Sequence, residues 1–79
     1  MILSFDATIA LLTRVLAESN KTDNAVERAH KRALVQTGLN ELNTVINDRG
    51  YSRQCEVDAI DALQADLDAA EWANTMVLL

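Results

Sequence analysis

The 79-residue sequence contains no proline, two glycines, one cysteine, one histidine and one each of phenylalanine, tyrosine and tryptophan. Each scarcity excludes something. Without proline, a helix meets no obligatory internal break. With Gly38 and Gly50 the only glycines, left-handed turns have few places to form. A lone Cys55 excludes an intrachain disulfide. Together with His30 it also falls short of the usual four nitrogen and sulfur ligands of a structural zinc site. No apolar run approaches the roughly 20 residues needed to span a bilayer; the stretch from Met76 to Leu79 is far too short, and no membrane association is expected. The apolar start of the chain carries Asp6 and has neither a basic leader nor a small-residue cleavage site. No signal peptide is read there, so a reducing, cytoplasmic setting is expected.

What is present describes a folded, acidic chain. With 49% hydrophobic and 24% charged residues, the composition is too apolar for disorder. The net charge of −5 excludes simple binding to a nucleic-acid backbone, which depends on basic patches. The acidity is also uneven. Residues 1–40 hold five basic and four acidic side chains, whereas residues 41–79 hold two and eight, so the second half accounts for the whole excess. The length predicts one helical domain over 1–79 with a modest core. With neither disulfide nor zinc to reinforce it, oligomerisation is the remaining source of stability.

Periodicity predicts three helices. Ile2, Phe5, Ile9, Leu12 and Leu16 recur at three- and four-residue steps, giving a first helix from Ser4 as N-cap to about Asn20. Asn24, with Glu27 three positions on, resembles a capping box and opens a second helix. That helix ends where Gly50 can adopt the left-handed C′ conformation, with Arg49 near the negative terminus and Tyr51 placed to contact Ile46. Gly38 lies inside it, which a close helix crossing would explain. Ser52 is the expected N-cap of a third helix with a stripe of Ile60, Leu63, Leu67 and Ala70. The fold class is therefore all-α: a short first helix packed on a long antiparallel hairpin.

Relative helix lengths lead to a functional expectation. At 1.5 Å per residue the second and third helices are nearly 40 Å long and the first only about 25 Å. Folded back flush along the second helix, the first would leave the Gly50 tip bare. Leu39, Leu42, Ile46, Ile60, Leu63 and Leu67 would then form an exposed apolar interface. A homodimer completing a helical bundle is the expected outcome, and the expected function is a non-enzymatic protein-interaction module. The alternative is an acidic inhibitor or nucleic-acid mimic that occupies a basic groove on another protein through Asp58, Asp61 and Asp68. Trp72 is expected to pack under the first helix, where a small domain needs its one tryptophan.

The remaining chemistry is sparse. Glu27 and His30 have the Glu-x-x-His spacing of di-iron bundles, but a site needs a second such pair and two further carboxylates. A capping Glu27 and a solvent-facing His30 are the simpler expectation. The aspartates of the third helix lack the glycine turn of a calcium loop, and they read as a solvated face. Cys55 reads as a half-buried packing residue. There is no second histidine to serve as a base and no glycine-rich loop to hold phosphate. No catalysis, cofactor, metal or small-molecule substrate is expected.

Overall fold

A computed structural model describes residues 4–78, with side chains as far as Ala73. Three α-helices make up the described chain: α1 (Phe5–Lys21), α2 (Ala25–Arg49) and α3 (Gln54–Leu78). The all-α arrangement agrees with the periodicity, and most of the termini do too. Ser4 caps α1, its hydroxyl accepting from the Ala7 amide at 3.1 Å. Asn24 caps α2, its Oδ1 accepting from the amides of Val26 at 2.9 Å and Glu27 at 3.1 Å. Gly50 ends α2 at φ +82°, and its amide returns to the carbonyls of Ile46 and Asn47.

Two local expectations are corrected. Glu27 does not complete a capping box: its carboxylate turns toward Lys31 at 3.8 Å, and the Asn24 amide donates to the Thr22 hydroxyl instead. The cap position of α3 falls on Arg53 rather than Ser52, because the Arg53 carbonyl accepts from Val57 while the Glu56 carboxylate reaches back to the Arg53 amide. The Arg49 guanidinium also stacks over the Tyr51 ring, 4.1 Å from its centroid.

The axial register of α1 decides what the core contains. Glu18 pairs with Lys31 at 3.2 Å, Ser19 and Asn20 meet Arg32, and Leu12 lies against Gly38. About two further turns of each helix bring Phe5 level with Val45. Thus α1 spans α2 from about Ala29 to Val45 and is displaced by roughly one turn toward Gly50 relative to a flush start. The connection explains the displacement. Thr22 and Asn24 are both extended, with ψ of 140° and 113°, and an extended residue rises about 3.3 Å against 1.5 Å in a helix. The three-residue link therefore lets α2 begin beyond the end of α1.

This register overturns the exposed-tip expectation. Leu39, Leu42, Ile46, Ile60, Leu63 and Leu67 are all buried within one chain, in a core shared with Leu12, Leu16 and Val35 and flanked by Phe5 and Ile9. They form no exposed interface. By this register α1 leaves about one turn of α2 bare at each end, and the buried aliphatic core stops short of the end where α2 begins.

The Gly50 turn is closed by an ion pair. Arg49 grips Glu56 with two hydrogen bonds, Nη2 to Oε1 and Nη1 to Oε2, the latter at 3.2 Å. These bonds hold the Glu56 carboxyl below its ordinary range, against the opposing effect of burial. Because the folded value lies below the unfolded one, the stabilisation is complete above the unfolded value of about 4.3 and is lost as pH falls through the folded value. Glu56→Gln should therefore melt below the parent chain at neutral pH, and the gap should narrow on acidification. Thermal melts across a pH series read this directly.

Candidate functional site at the open end of the bundle

All three core stripes change character toward the end where α2 begins. On α1 the series Leu12, Leu16 ends in Ser19, which is fully buried. On α2 the series Ile46, Leu42, Leu39, Val35 continues, in the same steps of three and four, onto Arg32 and then Arg28. On α3 the series Leu63, Leu67 reaches the partly buried Ala70. Large aliphatic side chains thus give way to a hydroxyl, a guanidinium and a methyl.

Arg32 is 8% exposed. Its Nε donates to Ser19 Oγ at 3.3 Å and its Nη2 to Asn20 Oδ1 at 2.9 Å. Ser19 Oγ in turn donates to the Leu16 carbonyl at 2.6 Å. Arg28 Nη2 donates to the Thr22 carbonyl at 3.4 Å. Both arginines therefore lie against the carboxyl-terminal end of α1, where the helix dipole favours cations.

Two clefts flank this pair. The larger, about 780 Å³, is bordered by the end of α1, by Arg28 and Arg32, and by α3 from Leu63 to Ala73. The smaller, about 590 Å³, lies between α2 and α3; its α2 wall presents Ala25, Ala29 and Ala33, and Glu71 stands on the α3 side. A reciprocal amide pair, Gln36 with Gln64 at 2.9 Å in each direction, ties α2 to α3 at the inner edge of the smaller cleft. Val26, next to Ala25, is 79% exposed, and Trp72, next to Glu71, is 65% exposed.

Trp72 is thus not under α1, which corrects the expected placement. Gln64, Asp68 and Trp72 follow one another at four-residue steps, and Gln64 faces Gln36 on α2. That side of α3 runs along α2 and out to solvent, away from α1. Met76 and Leu79 lie outside the described side chains.

The other residues singled out in the sequence do not converge. Asp58, Asp61 and Asp68 are exposed. Asp58 and Asp68 each accept from a glutamine one turn earlier, Gln54 at 2.8 Å and Gln64 at 3.0 Å. His30 is exposed, and Glu27 belongs to the Lys31 pair. Cys55 is exposed rather than half-buried, because the inward position of the first turn of α3 belongs to Glu56. Among the described residues, no three His, Cys, Asp or Glu side chains stand where they could hold a metal ion, and no helix is long and apolar enough to cross a membrane.

Sequence reading overlooked Arg32 and Ser19. The signal was available for the arginine: the stripe of α2, followed backward from Ile46, lands on a cation. Ser19 on its own carries no such mark. Compared with known proteins, the chain matches no family model, no curated protein and no solved structure.

Proposed function

We propose that this chain is a non-enzymatic protein-interaction module that self-associates through the α2–α3 face at the open end of its bundle. The observation that carries this reading is the exposure of Trp72 and Val26, each next in sequence to a residue lining the cleft that Ala25, Ala29 and Ala33 border on α2. Tryptophan offers about 150–250 Å² of contact surface and is enriched where interfaces draw their energy. The alanines along α2 leave room for another helix to come close. A second copy fits because its own α2–α3 face repeats the same features, and two such faces related by a twofold axis would form a four-helix layer. An ordinary interface takes about 800 Å² from each partner, a small share of the 5587 Å² this chain exposes.

Sedimentation equilibrium tests the reading. The parent chain should form dimers, and Trp72→Ala and Val26→Asp should each shift it to monomers with little change in helix content. Tryptophan emission should move to shorter wavelength as the parent chain associates. A parent chain that stays monomeric at high concentration, with its tryptophan emitting as in water, would overturn it.

A further inference from the structure

Arg32 borders both clefts, and its larger opening lies among α1, α2 and α3. Arg32 is a buried cation without a counter-ion: among the described residues no carboxylate lies within ion-pair distance of it, and its two hydrogen-bond partners, Ser19 and Asn20, are neutral. A guanidinium has five N–H donors, and these bonds use two of them. Burying a guanidinium among neutral groups is costlier than burying the aliphatic side chain that the α2 stripe carries at Val35, Leu39 and Leu42. The dipole of α1 offsets only part of that cost. The side chain is also fixed in orientation by Ser19 and Asn20, and it borders open space in the cleft.

We propose that the cleft among α1, α2 and α3 binds a small monocarboxylate with a compact apolar body, its carboxylate held by Arg32. The walls match both parts of such a molecule. Leu16, Leu63, Ala17, Ala69 and Ala73 supply apolar surface, and the guanidinium supplies a planar fork of donors suited to a carboxylate. The cleft is open to solvent on one side, and its space of about 780 Å³ is ample for a short-chain acid. Asp23 and Asp66 also border the cleft, outside ion-pair distance of Arg32. These carboxylates repel a phosphate or other multiply charged anion more than a monocarboxylate, which needs only one guanidinium edge at short range.

Titration of the whole chain with hexanoate, followed by amide and arginine Nε resonances, tests the site. Hexanoate should shift Ser19, Asn20 and Arg32 saturably, and hexanol at equal concentration should not. Arg32→Gln should weaken hexanoate binding by about tenfold or more, the loss expected for a charge-assisted hydrogen bond. Ala69→Phe, which fills the cleft and leaves Arg32 in place, should abolish binding without lowering the melting temperature. This second variant keeps the test decisive if Arg32→Gln unfolds. Hexanoate shifts that hexanol reproduces, that persist in Ala69→Phe, or that fail to occur at Ser19, Asn20 and Arg32 would overturn the proposal.

Discussion

Leu39→Ala should lower the unfolding free energy by about 3–4 kcal/mol, the cost of a large cavity in a closely packed core. The loss should be the same at every protein concentration. Leu39 is fully buried where α2 meets both other helices, so its contacts come from its own chain. Were it an interface residue, the same truncation would cost more at high concentration, where dimers contribute to stability, than at low. A small domain shifts its midpoint by about 4–8 °C for each kcal/mol, so melts at several concentrations give a clear reading. A concentration-dependent loss would place Leu39 at a subunit boundary and contradict the register described for α1.

Gly38→Val should cost about 3 kcal/mol, although valine is the better helix former. A Cβ at position 38 would lie 2.6 and 2.8 Å from the two methyl carbons of Leu12 and 3.2 Å from its Cγ. Because Leu12 is itself buried, the clash is relieved either by driving its side chain against the neighbouring core or by lifting α1 away from α2. Leu12→Ala should cost about 3 kcal/mol alone by leaving a void, yet the double variant should cost less than the sum of the two by at least about 1 kcal/mol. Additive losses would mean that the two positions do not touch. The pair also explains how glycine is accommodated within a long helix: it replaces a side chain with the neighbouring helix.

The limits of sequence reading can be traced to particular residues. Helix ends marked by local chemistry, such as the Ser4 and Asn24 caps and the left-handed Gly50, were legible because each motif spans four or five residues and acts through its own backbone. Ser52 was a weaker case: a serine at a helix start is only a candidate, and here Glu56 secures the Arg53 amide in its stead. The stripes that form the core were also legible. Their exposure was misjudged because length alone does not tell how far one helix slides along another. Trp72 failed for a related reason. Its angle around α3 followed from periodicity, but whether that side faces α1 or solvent depends on how the three helices are arranged around the bundle axis.

The amino-acid order alone dictated three helices, their approximate termini and the aliphatic stripes, since all of these follow from interactions within a few turns of one helix. Only the packed structure decided which end of the hairpin is sealed, that Trp72 is left in solvent, and that Arg32 stands where a leucine would continue the core. Those outcomes depend on the rise of an extended three-residue link and on the close approach at Gly38. Both are relations between helices, and no stretch of local sequence encodes them by itself.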